Sequence, residues 1–116
     1  MTTVIYHNPR CSKSRQTLAL LQEKGVTPEI IEYLSTPPNA ATLSNILQQL
    51  GLTARELLRT GEDEYKSQQA AVANMDEAQV VAWMIENPIV IERPIVVTAS
   101  GARIGRPPES VLEIID

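Results

Sequence analysis

The chain has 116 residues, of which 43% are apolar and 21% charged, a balance that suits one globular domain built around one core. It holds no Phe, one Trp and three Tyr, so that core must be aliphatic, and its formal net charge of −4 argues against nucleic acid or an anionic membrane as partner while leaving room for a local basic pocket. No apolar run is long enough to suggest a membrane span, MTTVIYHN has no basic start or apolar leader core, and a single cysteine cannot close an internal disulfide, so a reducing cytoplasm is the expected setting.

In chain order, the β-branched and aromatic TTVIYH reads as a first strand. Asn8 precedes Pro9 and leans extended. Helical signals begin at about Cys11 and run through SKSRQTLALLQEKG, with Leu18 and Leu21 on one face, Lys13, Gln16, Glu23 and Lys24 in water, and Gly25 as the stop. TPEIIEYL reads as a second strand, which makes a βαβ unit with parallel strands and a right-handed crossover. STPPN then breaks the chain. Leu43, Ile46, Leu47 and Leu50 recur at helical spacing before Gly51, and Thr53 with Glu56 fits a capping box for a short helix carrying Leu57 and Leu58. GEDEYKSQQAAVAN is polar and poorly patterned. Asp76 and Gln79 can cap a helix with Val80, Trp83 and Met84, which Pro88 ends. PIVVTASGARIGR reads as a hairpin of IVVT and ARIG turning at Ala99-Ser100-Gly101. Pro107 or Pro108 can open a last helix with Val111, Leu112 and Ile115 inward. The order is β-α-β, then helices, then β-β-α: an α/β chain with a thioredoxin-like layout, read as a single domain over 1–116 with a helical insertion at about 36–88.

The only cysteine and the only histidine both fall within HNPRCSKSR. A lone cysteine is often a small buried hydrophobe, but Arg10, Ser12 and Lys13 are poor core companions. Cys11 follows a strand and a proline loop and stands at a helix start, where free N–H groups and about half a positive charge lower a thiol's pKa. Arg10, Lys13 and Arg15 act in the same direction, so Cys11 is expected to be reactive. A dithiol enzyme would carry a second Cys at position 14; here it is Ser14, and an outside thiol must restore an oxidised Cys11. Ser14 would suit a hydrogen bond to the sulfur and equally an ordinary first-turn serine. His7 alone reads better as a solvated loop histidine or a strand-end cap. A Cys-based phosphatase loop needs Arg six positions after the Cys, where this chain has Thr17.

HNPRCSKSRQTL resembles the active-site segment of the ArsC family, the arsenate reductases linked to glutathione and glutaredoxin. YLSTPP, LLRTGEDEYK, NPIVIERPIVV and ARIGRPPESVLEII resemble later segments of that family in the same order, so the likeness covers nearly the whole chain. The resemblance implies Cys11 as the nucleophile toward arsenate, Arg59, Arg93 and Arg106 as oxyanion-binding arginines, His7 and Ser14 as helpers of the thiol, and Pro94 as the proline carried in cis beside the active cysteine. It implies glutathione as co-substrate, glutaredoxin as the partner that resolves a glutathione–Cys11 disulfide, and neither a metal nor a tightly bound organic cofactor. Arg10 occupies a variable position of the motif.

The residue types suit that chemistry independently. Arsenate is a tetrahedral oxyanion that repels a thiolate, and arginine offers a planar fork of donors that remains charged. Arg93 and Arg106 flank the hairpin, whose strands would bring them to one end. Two other functions fit the same layout: an Spx-like regulator that binds RNA polymerase through its surface, and a glutathione-dependent thiol oxidoreductase with another substrate.

Overall fold

The computed structural model describes residues 2–115. The chain divides into two compact units, one formed by the residues up to Thr36 together with those from Arg93 onward, the other by Pro37–Glu92.

The first unit is a four-stranded sheet with helices. β1 (Val4–Tyr6) leads through the loop 7–11 into α1 (Ser12–Glu23), which returns to β2 (Glu29–Ile31); β3 (Ile95–Thr98) and β4 (Gly101–Ile104) complete the sheet in the order β2-β1-β3-β4. β1 pairs parallel with β2 and antiparallel with β3, and β3 pairs antiparallel with β4. This is the thioredoxin-like arrangement. The central position of β3 explains its composition, since all four residues of IVVT are buried. The hairpin turns on Ala99 and Ser100, because Gly101 already pairs with Thr98 as the first residue of β4. Both strands of the βαβ unit, three residues each, are shorter than the sequence patterns suggest.

Two elements of this unit depart from the helical periodicity read in the sequence. The last segment, Pro108–Glu113, is a 3-10 helix. Its period of three puts Pro108, Val111 and Ile114 on the inward face, whereas an α-helix would have turned Val111, Leu112 and Ile115 inward. Leu112 is 37% exposed, and Ile115 only flanks the core. That core joins Ile5, Leu21, Val96, Val111 and Ile114. In α1 the buried positions are Ser14, Thr17 and Leu21, with Leu18 packed at the core's margin. A hydrophobicity pattern undervalues this face because two of its three buried side chains are hydroxyls.

Those hydroxyls have neighbours that account for them. Thr17 Oγ1 donates to the Lys13 carbonyl at 2.8 Å and approaches that of Gly105 at 3.4 Å. Gly105 sits where a Cβ would strike Thr17 Oγ1 and come within 2.8 Å of Pro94 Cγ. The Gly105 N–H donates to the Pro94 carbonyl at 2.9 Å. Only a residue without a side chain lets the end of β4 press this closely on α1 and on Pro94.

The second unit is helical. It contains α2 (Ala40–Leu50), a 3-10 turn (Arg55–Leu57), α3 (Asp63–Ala73), α4 (Glu77–Glu86) and a second 3-10 turn (Pro88–Val90). Leu43, Ile46 and Leu47 are the buried face of α2, and Gly51 ends it in the left-handed region at φ 72°. Thr53 and Glu56 form the expected reciprocal bonds, but the turn they open is a single 3-10 turn, and Leu58 leaves it extended to bridge Ile91. Asp76 caps α4 in a full capping box with Gln79. The segment that read as unpatterned is α3: it buries only Val72, so it carries almost no amphipathic signal, while Asp63 and Glu64 favour its first turn. Among the described residues no helix is long and apolar enough to cross a membrane.

Asp76→Ala removes the acceptor for the Gln79 N–H and should cost about 1 kcal/mol of stability, read as a lower urea midpoint at unchanged slope. Gly105→Ala should cost about 1–3 kcal/mol through overpacking. Adding Thr17→Ala removes the nearest obstructing atoms and should recover part of that loss; additive losses in the double variant would contradict the steric account.

Candidate active site

The site forms in the first unit, at the ends of β1 and β4 and the start of α1. Cys11 is the N-cap residue of α1, with an extended backbone and no side-chain cap bond. A cysteine at this place puts its sulfur among the free N–H groups of the first turn, which no preceding carbonyl can satisfy. The sulfur is largely enclosed, the residue being 8% exposed. Burial pushes the thiol's pKa up. The N–H of Ser14, the Arg93 guanidinium through both a hydrogen bond and its charge, and the N–H of Lys13 outweigh that effect, so the net direction is down.

Arg106 supplies another cation at the sulfur. Its Nε donates to the Arg93 carbonyl oxygen at 2.8 Å, and its Nη2 lies 3.4 Å from Cys11 Sγ. The planar fork therefore has one edge fastened to backbone and the other on the thiol. Arg93 contributes twice: its side chain acts on the sulfur, and its carbonyl fixes the angle of Arg106. The Arg93–Pro94 peptide is cis, as is Arg106–Pro107. Arg93 is buried, whereas Arg106 is exposed along its length and reaches the sulfur with its tip, and Gly105, wedged against Thr17 and Pro94, immediately precedes it.

Behind the sulfur lies a small polar network. Ser14 is fully buried, and its Oγ stands 2.7 Å from His7 Nδ1 while accepting the Asn8 N–H at 3.0 Å. His7 is itself buried, so the solvated loop histidine suggested by its neighbours in sequence does not form. Burial pushes its pKa down; the charge of Glu32 raises it and that of Arg15 lowers it, leaving a net fall that favours the neutral ring at neutral pH. Asn8 closes the loop by accepting the Arg10 N–H on Oδ1 at 3.0 Å, and the Cys11 N–H donates to the Asn8 carbonyl at the same distance. Asn8 had no separate signal in the sequence, because its role depends on a loop that only the fold closes.

The first unit thus brings together Cys11, His7, Ser14, Arg93, Arg106 and Pro94. Arg59 belongs to the second unit. There its Nη1 donates to Glu92 at 2.7 Å and its Nε to Glu62 at 3.2 Å. Burial alone would lower its pKa, but Glu92 and then Glu62 raise it. Neither carboxylate was singled out by the sequence, although GEDE and IERP place both within reading distance of arginines. Arg10 is exposed, and its side chain makes no hydrogen bond or ion pair among the described residues. Among the described residues no group of three His, Cys, Asp or Glu side chains is arranged to hold a metal ion.

Chemically, the arrangement is a thiol favoured as thiolate, enclosed, and faced by two guanidinium groups. The ArsC family profile matches residues 6–114. The chain is 56% identical over 112 residues to YfgD of Escherichia coli (strain K12), a protein itself described as uncharacterised, with 96% of this chain and 94% of that one covered. It is 44% identical over 116 residues to the arsenate reductase of Haemophilus influenzae (strain ATCC 51907 / DSM 11121 / KW20 / Rd), covering 99% of this chain and all of the other. The solved structure of the arsenate reductase from Vibrio cholerae is similar at a TM-score of 0.92 and 49% identity, covering 99% of this chain and 98% of that one. A family match across nearly the whole sequence, on a sheet of the same build and at this level of identity, means that the chain belongs to the ArsC family.

Proposed function

We propose that this protein reduces arsenate to arsenite with Cys11 as nucleophile, glutathione as electron donor and glutaredoxin as the protein that resets the thiol. The observation that carries the proposal is the contact of Arg106 Nη2 with Cys11 Sγ at 3.4 Å, on a thiol already biased toward thiolate at a helix start. A buried thiolate between guanidinium groups needs an anionic reaction partner to make use of their charge, and a tetrahedral oxyanion fits that demand. The names of the relatives supply the arsenic.

The steps balance as follows. The Cys11 thiolate attacks As(V), one As–O bond breaks, and the oxygen leaves as water after protonation. The guanidinium groups of Arg93 and Arg106 offset the charge of the incoming oxyanion. A glutathione thiolate then attacks the Cys11 sulfur of the adduct. An S–S bond forms, the As–S bond breaks, and its electron pair stays on arsenic, which departs as As(III). The two thiols have together lost two electrons. A glutaredoxin thiolate attacks the glutathione sulfur of the mixed disulfide and frees Cys11. With only one cysteine in the chain, no internal thiol can take the place of these partners. Arg59 matches an oxyanion-binding position of the family motif, and in the second unit its two carboxylate partners hold its fork in one orientation.

The test is NADPH consumption with arsenate, glutathione, glutathione reductase and glutaredoxin. Turnover should depend on arsenate and vanish in Cys11→Ser, and unchanged turnover in that variant would overturn the nucleophile. Arg106→Ala should lower kcat/KM for arsenate by on the order of 10²-fold, as expected for removal of one donor to a developing anion. A loss confined to protein yield, with kcat/KM intact, would remove Arg106 from the mechanism.

The pH dependence has a definite sign. Because the folded-state pKa of Cys11 is lowered, thiolate is present at pH values where the unfolded chain holds a thiol. The iodoacetamide alkylation rate should therefore reach its plateau at a lower pH in the native protein than in urea. Coincident profiles would refute the bias toward thiolate.

A further inference from the structure

A groove of about 300 Å³ opens in the first unit along the loop that leads into Cys11, a volume at the lower end of small-ligand sites. Its walls include His7, Arg10, Glu32, Leu34 and Ser35. Arg10 and Glu32 are both exposed, and neither charged group has a hydrogen bond or ion pair among the described residues. Leu34 shows 39% of its surface, one of few large apolar side chains so open. His7 is only 6% exposed, its Nδ1 is engaged with Ser14, and its Nε2 has no hydrogen-bond partner among the described residues. The Nε2 is not one of the buried side-chain nitrogens left without a partner, so it reaches the groove's solvent and is open to a polar ligand there.

We propose that this groove binds the peptide portion of glutathione, an inference that rests on glutathione as the electron donor. Glutathione is zwitterionic at its γ-glutamyl end and carries a further carboxylate. An open cation and an open anion in one groove complement that pattern: Arg10 takes a carboxylate, Glu32 takes the ammonium, and Leu34 covers the aliphatic stem between them. His7 Nε2 provides the remaining polar contact. Arg10 is bonded directly to Cys11, so a ligand held by Arg10 lies within side-chain reach of the sulfur. The anion-facing side of Cys11, occupied by Arg106, stays clear for the oxyanion. In this arrangement the motif position that separates the histidine loop from the nucleophile recognises the donor rather than the substrate.

The test needs no arsenate. Cys11 thiolate attacks one sulfur of a disulfide, the S–S bond breaks, a mixed disulfide forms on Cys11, and the other half leaves as thiolate. Rates of this exchange are measured by mass spectrometry with oxidised glutathione and with uncharged hydroxyethyl disulfide. Their ratio removes any change in the intrinsic reactivity of Cys11. In both Arg10→Glu and Glu32→Lys the ratio of the glutathione rate to the neutral rate should fall about tenfold, the effect of one charged hydrogen bond. Glu32→Lys is the stringent variant, since the added positive charge attracts the anionic disulfide without a specific site. A fall in Arg10→Glu with a rise in Glu32→Lys would show attraction by net charge only and would overturn the proposal, as would an unchanged ratio in either. Absence of arsenate turnover in the wild-type protein, with the ratio effects present, would remove the arsenate reading and leave the groove standing.

Discussion

A thiolate that is nearly enclosed cannot rely on water to stabilise its charge, and the first unit is organised around that constraint. The compensating groups must be fixed in advance, because a freely rotating cation would lose much of its effect to entropy and solvation. At Cys11 these groups are the first-turn N–H donors of α1 and the guanidinium of Arg93, with the Arg106 fork brought against the sulfur. Each is held by something else. The helix start fixes the N–H groups, the Arg93 carbonyl fixes Arg106, and the contact of Gly105 with Thr17 and Pro94 fixes the backbone from which Arg106 springs. Burial and compensation oppose each other at this sulfur, and compensation prevails.

The network behind the cysteine follows the same logic. Ser14 gives its backbone N–H to the sulfur, while its hydroxyl oxygen accepts the Asn8 N–H and shares a hydrogen bond with His7 Nδ1. One residue thereby couples the loop 7–11 to the first turn of α1. A second cysteine at that position would have offered a resolving thiol; the serine ties the loop to the helix instead. The neutral His7 ring avoids placing another buried charge in a cluster that already contains several.

Much of this was legible in the sequence, for reasons that differ by residue. The strand β3 announced itself because a central strand needs apolar residues on both faces. Cys11 was legible because small and basic neighbours contradict a core role, and Asp76 because a capping box is a purely local pattern. The inward face of Pro108–Glu113 was misread, since Val111 and Ile114 obey a period of three while the segment's composition permits an α-helix. The helix α3 was not visible because it buries so little. The Glu92 partner of Arg59 and the enclosure of His7 arise from tertiary pairing that no local pattern encodes, whereas Glu62, three residues after Arg59, is a local partner. The cis state of Arg93–Pro94 likewise entered only through a family likeness.

The first unit is assembled from two stretches of chain separated by the whole of Pro37–Glu92, and the sulfur and its Arg106 partner are 95 residues apart. This has a consequence for the protein during its synthesis. The nascent chain exposes Cys11 early, when the strand that will supply Arg93 and the segment that will supply Arg106 do not yet exist. Until residue 106 has left the ribosome the thiol has its helix start at most, without its arginine partners. The part of the thiol's lowered pKa that comes from arginine is therefore absent from the early chain and arises only as the sheet is completed by the segments that follow Glu92.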